Sequence, residues 1–280
     1  MRNPIELVLH TLLDRTDPAL REKLERFLPL EQRDRLRTLP ICAVEEREVT
    51  LLDQIHWSWL VPTLKSYSHE DQQWFLSVLP PALATALGRA LQVPIEKRTP
   101  SAAGHTFLHR VLTQSLVDSN PHRLPASWLP ESPLKQLIHC SKQRLIRLID
   151  LLPLYDLALE IRHIVEARTM KKIYTALTKD QQHFLKQVLA HHDLTTTGRF
   201  SLERWDGTAD GLHLLLHRRG LTALAIALSV QDPGLAWHIA HQLDIGRGHL
   251  LLKLIEEHAA SPHAEILTNR ITEILASLSQ

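Results

Sequence analysis

Residues 205–228 read WDGTADGLHLLLHRRGLTALAIAL. Leucine and alanine dominate the run, and unbranched side chains lose little rotamer freedom in a helix. The longest charge-free apolar stretch, Gly220 to Val230, begins inside it. It is too short for a bilayer crossing, which needs ~20 residues. Outward from this run the same bias holds: 280 residues contain 54 leucines against 11 valines and 9 glycines. That balance favours helix over sheet, and the chain is expected to be all-α.

At ~150 residues per domain the length suggests roughly two domains, enough to bury a substantial core. Lys plus Arg is 32 and Asp plus Glu is 31, a formal net charge of +1. So even a balance sets up no global field for nucleic acid or an anionic membrane. No nucleic-acid partner is therefore expected. Cys42 and Cys140 form neither a disulfide framework nor a zinc knuckle, which points to a reducing compartment. Glu6 and Asp14 interrupt the N-terminal apolar stretch, so no signal peptide is expected, and the location reads as cytoplasmic.

Most segments repeat one design: an amphipathic helix, a Pro or Asp/Ser/Thr mark, then another helix. Asn3-Pro4 and Asp17-Pro18 each offer an N-cap with Pro at the first helical position. Leu20, Leu24, Phe27 and Leu28 follow the second at helical spacing, and a shorter helix is expected over Gln32–Leu39. These make an N-terminal segment, 1–43. The block 44–92 carries the stripe Ile55, Trp59, Leu60 and Leu64, then a Ser68-capped helix with Trp74, Phe75, Val78 and Leu79. Pro80-Pro81 begins its last helix, with Leu83, Leu87 and Leu91 at i, i+4 and i+8.

Six prolines between 93 and 133 mark a semi-rigid connector with one helix, Ala102 to Val117. A second helical domain is expected over 134–193, and the polar stretch 191–198 sets off a last unit, 194–280. In that unit Leu235, Ile239 and Leu243 make a stripe, and Asp244 can cap the next helix. Ser261-Pro262 can start the closing one. An internal echo pairs Asp71-Gln72-Gln73 with Asp180-Gln181-Gln182, each after a Ser or Thr cap (Ser68, Thr178). Stacked helical units of this kind suit a solenoid-like scaffold.

Catalytic constellations are missing: no glycine-rich phosphate loop, no G-x-S-x-G elbow, no paired-cysteine metal spacing and no H-E-x-x-H. The expectation is a non-enzymatic chain with no cofactor and no catalytic or metal residues. The 18 histidines would raise the net charge steeply as pH falls through ~6.5. His213 and His217 have the spacing of a shared-metal pair, but Arg218 and Arg219 beside them would repel a divalent ion. A polar stripe facing solvent or a partner is the better reading. Trp57 and Trp59 lie about 200° apart on a helix. Either that helix is buried on two sides, or Trp57 marks a contact surface.

Two segments resemble the flagellar motor switch protein family, FliG. Residues 205–228 and the helices that follow to Leu278 are similar to its C-terminal domain, in which a leucine-rich helix, a short break and a "LAxAL" helix succeed one another. His56 to Leu91 has its middle-domain cadence, carried by Leu60, Leu64, Leu76, Ser77, Leu79, Pro80, Leu83 and Leu87. The resemblance implies a right-handed stack of short helices, armadillo-like, in two to three subdomains.

Departures from the family pattern bear on function. Where the family has the partner-binding motif Glu-His-Pro-Gln, this chain has Ile55-His56-Trp57-Ser58. Its torque helix alternates acids and bases, whereas here Asp210, His213, His217, Arg218 and Arg219 are followed by no acid until Asp232. A rotor working by charge complementarity needs both signs. The resemblance thus implies a structural adaptor at the cytoplasmic base of a type III secretion apparatus, bridging a membrane ring to a cytoplasmic platform and reaching the inner membrane only through partner proteins. A divergent motor switch protein and a stand-alone helical-repeat binding module or chaperone are the alternatives. Candidate protein-binding residues are His56 and Trp57 on one surface, and His217, Arg218 and Arg219 on another.

Overall fold

The computed structural model describes residues 13, 18–29, 33, 51–96, 98–117, 125–190, 200–203, 205–259 and 261–278. Among the described residues every regular element is helical. All but Leu13 of the helix expected after Asn3-Pro4, all but one residue of Gln32–Leu39, Cys42 and the stretch 191–198 lie outside them. Helix α1 (Pro18–Glu25) is amphipathic, as its leucine spacing predicts, and beyond its end Phe27 stays 86% exposed.

A first core is built from α2 (Leu51–Gln54), a 3-10 turn (Trp57–Trp59), α3 (Val61–Lys65), α4 (His69–Ser77), α5 (Pro81–Leu91) and α6 (Ala102–Val117). Ser68 Oγ accepts from the Asp71 N–H at 3.2 Å, which caps α4. Pro81 opens α5, where its missing N–H costs nothing, and Gln92 closes it in the left-handed region at φ 59°. Leu52, Leu60, Leu64, Phe75, Leu76 and Leu87 pack together, and Leu112 and Leu116 of α6 join them. The helix within the proline-rich connector therefore belongs to this core. Prolines mark its ends, but the apolar stripe decides where it packs.

The second core joins buried residues between Leu129 and Leu275 in one cluster. It holds 3-10 turns at Ala126–Trp128 and Lys135–His139, and helices α7 (Lys142–Leu151), α8 (Leu154–Ile161), α9 (Ala167–Ala176) and α10 (Lys179–Ala190). Next come α11 (Ala209–Leu228), α12 (Pro233–Gln242), α13 (Ile245–Glu257) and α14 (Ala264–Ser277). The expected division at 193/194 thus falls inside one core, because α11 lies against α7, α9, α13 and α14 at once. Asp244 caps α13 as predicted, accepting from the Arg247 N–H (3.2 Å), and Asp232 caps α12 in the same way through the Gly234 N–H (2.8 Å).

The structure corrects the break implied within residues 211–228. Helix α11 runs 20 residues through Arg218, Arg219 and Gly220. Gly220 serves a close crossing: a Cβ there would overlap the carbonyl oxygen of Ile149 on α7. A glycine inside a helix costs about 1 kcal/mol relative to alanine, which strong helix formers on both sides offset.

The internal echo has a structural counterpart, one residue out of the register read from sequence. Gln72 Nε2 donates to the carbonyls of Leu64 and Tyr67, both at 2.9 Å. Gln182 Nε2 donates to those of Tyr174 (2.7 Å) and Leu177 (2.9 Å). Each glutamine lies four positions after its cap, Ser68 or Thr178, and ties its helix to the end of the preceding one. Caps and glutamines therefore pair Gln72 with Gln182, where the string match had paired it with Gln181.

Candidate partner-binding faces and the seam between the cores

The two cores meet at a seam made by the turn Trp57–Trp59. Trp59 Nε1 donates to the Leu243 carbonyl at 2.9 Å, and the His56 N–H to the His241 carbonyl at 2.7 Å. Ser58 Oγ accepts from the Ile245 N–H at 2.9 Å. The Trp59 ring stacks on His241 with centroids 3.9 Å apart, and the other side of His241 stacks on Trp237 at 3.8 Å. His249 meets Trp59 edge-on at 4.8 Å. Trp237, 2% exposed, packs with the first core although α12 belongs to the second. Gly248 leaves the room this needs, since a Cβ there would overlap both the Trp59 ring and the Ala240 carbonyl.

The sequence places Trp59 on a helical stripe with Leu60 and Leu64. A 3-10 turn instead carries it to the edge of the first core, where it also reaches across the seam, and Trp57 packs partly buried on the same core. Both tryptophans are thus at least partly covered. Trp59→Ala is expected to lower stability by about 3 kcal/mol. Urea denaturation should then show two transitions, one per core; a single unshifted transition would mean the seam does not couple them.

His56 is half-buried within the seam. Its Nδ1 accepts from the Ser58 hydroxyl at 2.7 Å and the Ser58 N–H at 3.3 Å. Burial, Lys142 and Arg247 lower its pKa to about 4 against the opposing pull of Asp244.

The second candidate surface divides three ways. Arg218 is exposed. His217 Nδ1 lies 2.7 Å from Asp150 Oδ1 of α7, and its Nε2 is buried with no hydrogen-bond partner among the described residues. Arg219 turns inward: its Nε donates to Asp156 Oδ2 at 2.7 Å, with the two side chains 14% and 4% exposed. Arg270 approaches the same carboxylate at 3.9 Å and lies over the Tyr155 ring, 4.5 Å from its centroid. Burial and Glu273 push the Tyr155 hydroxyl up to about 12. At 100° per residue, neighbouring positions on α11 cannot share a face, and the packing of α7 and α8 sorts them.

His217 lines an open groove of about 610 Å³ together with Arg147, Asp150, Asp180, His213 and Leu214. Arg147 pairs with Asp180 at 2.9 Å, His213 Nε2 lies 2.7 Å from the Ala176 carbonyl, and Leu214 is 72% exposed. Sequence reading finds no acid near His217 except Asp210; the fold supplies Asp150 from α7. A carboxylate-oriented imidazole is the base half of a hydrolytic dyad. The hydroxyl lining the same groove, Thr178, donates to Gln181 Oε1 at 3.2 Å and caps α10, so it serves the helix. No group of three or more His, Cys, Asp or Glu suited to a metal occurs among the described residues.

Asp150, Asp180 and Trp59 are the participants that the sequence does not advertise. One signal was present: Gly246 and Gly248 flank Arg247 inside a helical pattern, and a glycine there marks a close approach. No protein family, curated protein or solved structure matches the chain, and the residues above carry the functional reading by themselves.

Proposed function

We propose that the chain is a non-enzymatic helical adaptor that holds two protein partners in a fixed relation, one on each core. Its place is the cytoplasmic base of a type III secretion apparatus, where it bridges a membrane ring to a cytoplasmic platform. In this reading the helices form a right-handed, armadillo-like stack in two to three subdomains, as in the motor switch family. The observation that carries the bridging role is the seam. Hydrogen bonds from His56, Ser58 and Trp59, together with the Trp59–His241–Trp237 stack, couple the cores as a flexible tether would not. The location rests on the motor-switch-like cadences of residues 56–91 and 205–278.

A static bridge is favoured over a rotor by the charges around α11. Asp180 pairs with Arg147 and Asp150 lies against the His217 ring, so both acids are engaged within the chain instead of opposing a stator. In this reading contact with a membrane is through partners; no helix among the described residues is long and apolar enough to cross one. Mild cross-linking in the native organism, pull-down and mass spectrometry test the proposal. Recovery of secretion-ring and platform components is the expected result. Switch and stator proteins would return the chain to a flagellum, and soluble clients alone would make it a free-standing binding module.

A further inference from the structure

His56 occupies the N-cap of the turn Trp57–Trp59, and its role there fixes its protonation. A backbone N–H can only donate, so the Ser58 N–H requires a lone pair on Nδ1. The Ser58 hydroxyl donates to the same nitrogen, which leaves its oxygen free to accept from the Ile245 N–H across the seam. One unprotonated nitrogen thus orders a chain of hydrogen bonds that runs from the first core into the second. A proton on Nδ1 would meet the Ser58 N–H head-on, remove the cap of the turn, and turn the Ser58 oxygen into an acceptor for both the ring and the Ile245 N–H.

The surroundings resist that proton without excluding it. Lys142 at the start of α7 and Arg247 in the first turn of α13 oppose a positive imidazole, and Asp244 favours one. From α12, His241 presents its backbone carbonyl to the His56 N–H, and His249 of α13 reaches the site only through the Trp59 ring. Away from the seam both cores are held mainly by leucine and isoleucine, which do not titrate, and the carboxylate buried in the second, Asp156, stands between Arg219 and Arg270.

We propose that the seam is an acid-labile joint: protonation of His56 loosens the first core from the second while each core stays folded. The sign follows from linkage. A histidine whose pKa is lowered on folding, here to about 4, lends its stabilisation fully above ~6.5 and loses it as pH falls from there toward the folded value.

Hydrogen exchange read by mass spectrometry at pH 7.5 and pH 5, corrected for intrinsic rates, tests the joint. Protection of the amides of His56 and Ile245 is expected to fall about tenfold at pH 5, with Leu145–Leu152 and Leu221–Leu228 unchanged. In His56→Asn the side-chain oxygen keeps the acceptor and cannot take the proton, so protection at the seam should no longer depend on pH. Unchanged protection in the natural chain, an equal fall in His56→Asn, or parallel loss in both cores would each overturn the proposal. Should His56→Asn not fold, the ring ¹⁵N shifts of the natural chain decide: a protonated Nδ1 at pH 7.5 contradicts the geometry.

Discussion

Gly220→Ala is expected to destabilise the second core by about 3 kcal/mol, an overpacking cost at the upper end of the usual range. The added methyl would overlap the Ile149 carbonyl oxygen, a backbone atom that cannot rotate away. Helix α11 must then lift from α7, opening contacts along Leu216, Leu221 and Leu224, all of them buried. Alanine's better helix propensity returns only about 1 kcal/mol. Calorimetry should show a fall in Tm of roughly 10 °C, from ~2–4 °C per kcal/mol in a domain of this size. Gly104→Ala is the control. Gly104 lies near the exposed start of α6, where the nearest atom is the Ser101 hydroxyl at 3.3 Å, and the substitution should leave Tm within a degree or two. Equal effects at both glycines would show that helix propensity, not the crossing, governs Gly220.

Asp156→Asn is expected to cost about 3–5 kcal/mol, the usual penalty for removing one member of a buried ion pair. The carboxylate stands between Arg219 at 2.7 Å and Arg270 at 3.9 Å, and Arg219 Nη2 is already buried without a hydrogen-bond partner. Asparagine keeps the shape and loses the charge, so two guanidiniums would face each other across a neutral amide. Urea denaturation at neutral pH measures the loss. Adding Arg219→Met should recover part of it, because the second substitution removes a stranded charge. If the double variant is as unstable as the sum of the two single ones, Asp156 and Arg219 are energetically independent and the pairing is incidental.

Local features were the legible part of the fold. Ser68 and Asp244 announce their helices by chemistry that acts within three residues, and the stripe Leu83, Leu87, Leu91 defines a face without reference to anything distant. What escaped the sequence depends on pairs far apart in the chain. His217 has no acid beside it in sequence and Asp150 beside it in space. Arg219 reads as a surface residue next to Arg218, and only the placement of α8 turns it toward Asp156. Trp59 fits a helical stripe because a 3-10 turn cannot be told from an α-helical one over three residues. The reason for Gly220 could not be read locally, since the residue that makes it necessary, Ile149, belongs to another helix. The duplicated glutamine contact was found one position off, because the string match followed identity while the hydrogen bonds count from the cap.

Trp237 completes the first core from a point in the chain far beyond α6. Synthesis proceeds from the N-terminus, so when Leu112 and Leu116 leave the ribosome the largest fully buried side chain of their core has not yet been made. The early helices must wait, with Leu60, Leu64 and Leu87 collapsed around an unfilled site, until α12 and the start of α13 emerge. Closing that site also brings His241 and Leu243 to the turn Trp57–Trp59, so a stretch translated later finishes a part begun earlier. A message truncated before α12 would therefore yield two incomplete halves rather than one finished and one missing.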